Sequence, residues 1–377
     1  MSLKVAIVCP RYEPDWGGIE THVSQLVRRL ARETEIEVLT QTSDRSLPPV
    51  ERRGGAVIRR FTVLTPSANY AWAPSLWAYL ARRRGSWDLV HAHAYHALPA
   101  LGAALRRAAP LVFTPHYHGT GHTTLRRALH VAYLPAGRVL VERARAIICV
   151  SAAERRLLNH RFPGSASRAV VIPNGVVSGP LADAVPFASP GPVLLVSGRL
   201  EAYKHVAAAV DALRLLPAEV TLKITGDGPE RPALEAKIRQ RRLSDRATLL
   251  GRVSDAELRR WMRTARVLVT MSAHEAYGIV LLEALAAGAS VVASDIPAHR
   301  EIASRYGAGR IELVPLGAPD TVVAGAIARQ LAKPQARLAT PRLPTWDEAA
   351  QATLSLYREL VDNADTMFPA RLRSSAA

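Results

Sequence analysis

The chain has 377 residues, 49% of them hydrophobic, about twice the usual domain length and enough to fill two cores. No run approaches 18 uncharged apolar residues, and the apolar stretch 3–9 has strand length without a cleavage pattern, so neither a membrane span nor a secretory leader is expected and the cytoplasm is the expected compartment. The net charge is +17. Residues 52–168 hold 18 Arg, no Lys and only three acids, Asp88, Glu142 and Glu154; this surplus suits an anionic membrane surface or a phosphorylated acceptor as well as an ordinary solvated face. No recognisable nucleic-acid module accompanies the charge, so nucleic acid is not an expected partner. Cys9 and Cys149 lie in apolar strand-like runs and read as small buried hydrophobes, not as a disulfide or a metal site.

In chain order, strands are expected at 4–9, 35–40, 57–61, 89–93, 111–114, 146–150 and 169–172, with a first helix at about 20–32 after a Pro- and Gly-containing loop. Pro173-Asn174-Gly175 is a turn, and 178–192, rich in Pro, Ala and Gly, reads as a linker. A second series follows at 193–197, 220–225, 247–250, 267–271 and 290–293, and 347–362 is an amphipathic helix. Alternating strands and helices in two series predict two doubly wound parallel sheets. The boundaries are 1–177 and 178–345, with residues 346–377 returning to the first domain.

Chemistry concentrates where strands end. Glu275 is expected in the turn after the strand 267–271, and Glu283 one turn inside the apolar helix that Gly288 ends. The first-turn N–H groups of Ile279 and Val280 form an anion site there, beside two carboxylates able to accept sugar hydroxyls. Arg199 and Lys204 share the loop after 193–197, where two cations could neutralise a leaving diphosphate. Gly17 and Gly18 lack Cβ atoms between a strand and a helix, so backbone could approach a phosphate or sugar; Glu20 reads as structural, favoured at a helix start. His116, His118 and His122 lie on a glycine-containing loop with no neighbouring carboxylate or thiol to complete a metal set. His91, His93 and His96 read as packing residues. Gly226-Asp227-Gly228-Pro229 lacks the third glycine of a phosphate loop, and a tight turn explains it at least as well.

These motifs, Gly17-Gly18-Ile19-Glu20-Thr21-His22, Thr114-Pro115-His116, Ile172-Pro173-Asn174-Gly175, Ser197-Gly198-Arg199 with Lys204, Leu250-Gly251-Arg252-Val253, and Glu275 to Glu283 with Glu-Ala-Leu-Ala-Ala-Gly288, follow the order of the retaining glycosyltransferases of family 4, which the chain resembles. The resemblance implies the GT-B architecture, two Rossmann-like domains facing a central cleft, with the acceptor on the first and a nucleotide sugar on the second. It implies that His116 contacts the donor sugar, Glu275 holds the transferred sugar, Glu283 holds the ribose, and backbone around Arg252 and Val253 selects the base. It also implies retention at the anomeric carbon. No Asp-x-Asp occurs, so no cofactor or divalent metal is expected. GDP-mannose, UDP-N-acetylglucosamine and UDP-glucose all remain open as donors.

The acceptor reads as anionic or lipid-linked, with the enzyme peripheral on the membrane face. A soluble small-molecule acceptor, a sugar epimerase or phosphorylase, and a catalytically silent sugar-nucleotide or polyanion binder are the alternatives. The membrane contact is expected at 125–141, where Leu129, Val131, Tyr133 and Leu134 lie among Arg126, Arg127 and Arg138. Each basic side chain near anionic lipid contributes roughly 1 kcal/mol. The chain should therefore co-sediment with anionic but not neutral vesicles, less so in high salt and after Arg126→Glu with Arg127→Glu; indifference to lipid charge would point to a soluble acceptor.

Overall fold

The computed structural model describes residues 2–65, 71–83, 85–106, 109–119, 124–333 and 342–367, and of 124–130, 132 and 364–367 the backbone alone. His122, Arg84 and Arg107 lie outside the described residues, as do the side chains of Arg126, Arg127 and Leu129. The chain divides into two compact units, Met1–Asn174 with Trp346–Ala377, and Gly175–Thr345.

The first unit holds eight strands: β1 (Leu3–Val8), β2 (Thr34–Thr42), β3 (Val50–Arg53), β4 (Ala56–Thr62), β5 (Leu89–His93), β6 (Leu111–Thr114), β7 (Ala146–Cys149) and β8 (Ala169–Val171). Their order is β3-β4-β2-β1-β5-β6-β7-β8, parallel except for the antiparallel β3–β4 pair. The second unit holds β9 (Val193–Ser197), β10 (Thr221–Thr225), β11 (Ala247–Gly251), β12 (Val267–Thr270), β13 (Ser290–Ser294) and β14 (Ile311–Val314). They pair in parallel in the order β11-β10-β9-β12-β13-β14. Helices cover both faces of such sheets, so central strands read as continuous apolar runs, not alternating ones. One core gathers Leu76, Tyr95, Phe113 and Leu140; the other gathers Leu222, Ile224, Val269 and Val292.

Three features depart from the sequence expectation. β3, of sequence Val-Glu-Arg-Arg, is a largely exposed edge strand without an apolar face to announce it. β14 has only one fully buried residue, Val314. The expected linker is not featureless, because Ser178–Ala182 forms a short helix whose Leu181 is buried.

Several arginines of the basic stretch serve the fold and are not available to a membrane surface. Arg60 is buried and donates to the Glu13 carbonyl oxygen at 2.7 Å and to Glu51 at 2.8 Å. Arg106 is buried against the Trp87 ring and donates to the Arg83 carbonyl oxygen at 2.9 Å, and Arg168 binds the carbonyl oxygens of Val141, Ala144 and Gly164. In the helix Thr124–Arg143, Tyr133 is buried 5.5 Å from the Tyr95 ring, whereas Val131 stays exposed. No helix among the described residues is long and apolar enough to cross a membrane.

The last helix, Trp346–Met367, completes the first unit. Asp347 accepts from Arg29 at 3.0 Å, Glu33 accepts from Arg358 at 2.9 Å, and the Trp346 ring packs 5.8 Å from the His22 ring. These ion pairs are largely exposed and contribute little. The buried Tyr357 matters more, since its hydroxyl lies 2.6 Å from His91 Nδ1 inside the core. Tyr357→Phe leaves that nitrogen unsatisfied and should cost about 1–3 kcal/mol, read as a lower urea midpoint; an unchanged midpoint would show that the bond contributes nothing.

Candidate functional site

In an open parallel sheet, ligands bind outside the carboxyl ends of strands where the strand order reverses. In the second unit that point lies between β9 and β12. β9 ends at Ser197, Gly198 turns the chain at φ 141°, and Arg199 and Leu200 lead into the 3-10 turn Ala202–Lys204. The Ala273 N–H donates to the Tyr203 carbonyl oxygen at 2.8 Å, joining this loop to the one after β12. Lys204 Nζ then donates to Glu275 Oε1 at 2.6 Å, with side chains 21% and 18% exposed.

Burial alone would neutralise both partners, and each reverses it in the other. For Lys204, burial favours the neutral amine, but Glu275 and Tyr203 outweigh it and the net shift is upward. For Glu275, burial favours the protonated acid, but Lys204, His299 and the Ser272 hydroxyl outweigh it and the net shift is downward. Arg199 lines the same small pocket as Lys204, with Ser197, Gly198 and Thr270.

Gly278, in the left-handed region at φ 105°, turns the chain into the helix Ile279–Ala287. The first-turn N–H groups of Ile279 and Val280 have no preceding carbonyl within the helix to bond. Gly278 also admits His299, whose ring a Cβ there would meet at 3.2 Å. His299 Nδ1 lies 2.9 Å from the Ser294 carbonyl oxygen, to which it donates; Nε2 is left as an acceptor, buried and unpartnered among the described residues. Burial lowers the His299 pKa, with Glu275 opposing. Glu283 occupies the fifth position of the helix, and burial first, then Asp255, pushes its carboxyl up to about 7.

Arg252 and Val253 follow β11 and Gly251, itself at φ 71°. The turn at Gly226-Asp227-Gly228-Pro229 braces the Arg199 loop: Leu200 N–H donates to the Asp227 carbonyl oxygen at 3.0 Å, and a Cβ on Gly228 would come within 2.5 Å of the Leu200 oxygen. That contact is the reason for the glycine.

In the first unit the strand order reverses between β1 and β5. Gly17 has an internal reason, because a Cβ there would meet a Glu20 carboxylate oxygen at 2.4 Å. Glu20 is buried and paired with Arg11 at 3.1 Å. A Cβ on Gly18 would meet nothing within 4 Å, so its backbone faces open space. After β6, His116 takes φ 49°, an uncommon conformation for a residue with a side chain. Its loop is pinned by Glu154, which accepts from the N–H groups of Tyr117 at 2.5 Å and Val150 at 2.6 Å. Burial pushes the Glu154 carboxyl up to about 8 despite these bonds.

His116 shares its surroundings with residues to which the sequence assigned no site role. His22, one turn into the helix Gly18–Leu30, lies 4.8 Å from the His116 ring and within 2.7 Å of Asn174 Oδ1 through Nδ1. His93, in the fully buried β5, stacks 5.8 Å from His116. The packing reading suits His91, bonded to Tyr357 and Thr114, and His96, edge-on to Tyr95. His93 finds no hydrogen-bond partner among the described residues. The His22–Asn174 contact joins residues 152 positions apart, which no local pattern reveals; the appearance of His22 inside the glycine motif was the one available signal.

Glu283 supplies a test without substrate. Its folded pKa is raised, so its contribution to stability is full below the unfolded value of about 4.5 and is lost as pH rises through about 7. Wild type should lose roughly 2–3 kcal/mol relative to Glu283→Gln between pH 4.5 and 8, by urea unfolding at each pH. Parallel pH profiles would mean that Glu283 titrates alike in the folded and unfolded chain.

Comparison with known proteins bears on the family and the fold. Residues 16–178 match Glycosyltransferase Family 4, and residues 182–333 match Glycosyl transferases group 1. A phosphatidyl-myo-inositol mannosyltransferase of Mycolicibacterium smegmatis is 32% identical, over 86% of this chain and 84% of that protein. A D-inositol 3-phosphate glycosyltransferase of Jonesia denitrificans is 27% identical, over 94% and 95%. Sucrose-phosphate synthase from Thermosynechococcus elongatus superposes with a TM-score of 0.78 at 21% identity, over 96% of this chain and all of that one, a likeness of fold. With two parallel-sheet units of the GT-B type and a 32% identical relative along most of its length, the chain belongs to glycosyltransferase family 4 and is a glycosyltransferase.

Proposed function

We propose that the enzyme transfers a hexose from a nucleoside-diphosphate sugar, with retention and without a divalent metal, to a hydroxyl of an anionic acceptor of the inositol-phosphate class, free or lipid-linked. The observation that carries this reading is the Lys204–Glu275 pair with Arg199 beside Lys204 at the carboxyl end of β9. Two cations and the N–H groups of Ile279 and Val280 receive the diphosphate, and their worth grows as charge develops on the leaving oxygen. Lys204 gives Glu275 one of its three donors and keeps two for phosphate. Glu275, ionised, accepts hydroxyls of the transferred sugar, and His116 contacts that sugar from its own loop. Glu283 accepts the ribose hydroxyls, while backbone at Arg252 and Val253 meets the base. The departing phosphate oxygen takes the acceptor's proton on the face where the new bond forms, which yields retention without a protein nucleophile.

Two lines support the acceptor class: the printed activities of the relatives, one on phosphatidyl-myo-inositol and one on D-inositol 3-phosphate, and the Arg surplus of residues 52–168. The exposed Arg82 and Arg143 lie on this surface and would meet phosphate or an anionic bilayer, in keeping with a cytoplasmic enzyme that rests on the membrane reversibly.

Arg199→Ala and Lys204→Ala should each cut turnover by roughly 10² or more with the fold intact, and chelation should leave the wild-type rate undiminished. Glu275→Ala should chiefly impair transfer. Glu283→Ala should chiefly weaken nucleotide binding, and wild-type nucleotide affinity should rise as pH passes upward through about 7, because the ribose hydroxyls donate to the carboxylate. Initial rates with GDP-mannose, UDP-N-acetylglucosamine and UDP-glucose against inositol phosphate and phosphatidylinositol measure these effects. Near-normal turnover in both cation variants would remove the diphosphate assignment, and transfer to neither acceptor would remove the acceptor class.

A further inference from the structure

Among the described residues one group of three ligating side chains converges, His22, His93 and His116, with a ring nitrogen from each within 4.8 Å of the others. His22 and His93 are 3% and 0% exposed, and Nε2 of all three is buried without a hydrogen-bond partner among the described residues. Buried polar atoms are rarely left so. Three imidazole nitrogens this close together, without partners among the described residues, need something that accepts electron pairs or donates protons. The geometry points to a binding site for one Zn2+ or similar transition-metal ion held by His22, His93 and His116.

Three observations support the ion. His22 Nδ1 faces the Asn174 carbonyl oxygen at 2.7 Å, the arrangement that fixes the tautomer and aims Nε2 inward, as partners of metal-bound histidines do. Tetrahedral zinc with Zn–N of about 2.0–2.1 Å places its ligands about 3.4 Å apart, so the nitrogens, within 4.8 Å of one another, must draw somewhat closer when the ion binds. His116 is only partly buried and gives the ion a way in and a fourth position for water or hydroxide, which offsets charge in a basic unit.

The ion is not a participant in the transfer proposed above. If His116 contacts the donor sugar, a bound ion occupies its Nε2 and inhibits; that consequence rests on the functional reading, whereas binding does not. The test uses the full chain freed of metal by chelator, titrated with Co2+ and then with Zn2+. The expected result is one equivalent of Co2+ with the strong visible absorption of a four-coordinate ion, displaced by Zn2+. His93→Gln should abolish that signal and Asn174→Ala should weaken binding 10–100-fold, whereas substitution of the exposed His160 and His205 should leave it unchanged. Should His93→Gln fail to fold, the partly exposed His116→Gln decides, with circular dichroism as the fold control. Absence of a stoichiometric Co2+ signal in wild type, or a signal that persists in folded His116→Gln, overturns the site.

Discussion

Both sheets are covered on two faces, and that constraint decides where chemistry can occur. A strand buried on both sides offers no exposed side chain along its length, so polar groups that must meet a ligand gather at the carboxyl ends, where backbone turns toward a helix. Arg199 and Lys204 follow β9, Glu275 follows β12, His116 follows β6, and Gly17 and Gly18 lie between β1 and its helix. The charges stay ionised because they are arranged in opposition. Removing either member of the Lys204–Glu275 pair would strand a partly buried charge, so the loops after β9 and β12 are constrained as one element.

Two histidines break the rule by sitting within β5, every residue of which is buried. His91 is reconciled with the interior by Tyr357 and Thr114; His93 is not. The first unit thus joins a strongly basic surface to an interior of neutral imidazoles. Carboxylates there are held by specific donors, the buried Glu154 by two backbone N–H groups, and the partly buried Glu37 by Tyr79, Trp87 and Arg59.

Most of the fold was legible because buried parallel strands are short apolar runs, and β5, β6 and β9 lie where their sequences indicate. β3 was not, because a charged edge strand carries no hydrophobic signal; the helix Ser178–Ala182 was hidden by a Pro- and Gly-rich composition. At the site, the loop position of Glu275 and the helical position of Glu283 could be read from turn and helix signals. The acceptor nitrogen of His299 and the His22–Asn174 contact could not. Both depend on which side chains tertiary packing brings together, and residue spacing carries no record of that.

The last helix belongs to the unit that contains the first strand, and this has a consequence for synthesis. The 171 residues of Gly175–Thr345 must leave the ribosome between the two parts of the first unit. At about 5–20 residues per second, that interval is on the order of 10 s or more. Throughout it, His91 lacks Tyr357 and the face of the helix Gly18–Leu30 that later meets Trp346 lacks its cover. The nascent chain therefore completes its later, contiguous unit before its earlier one, and the N-terminal half is exposed to chaperones and proteases until the helix that begins at Trp346 has emerged.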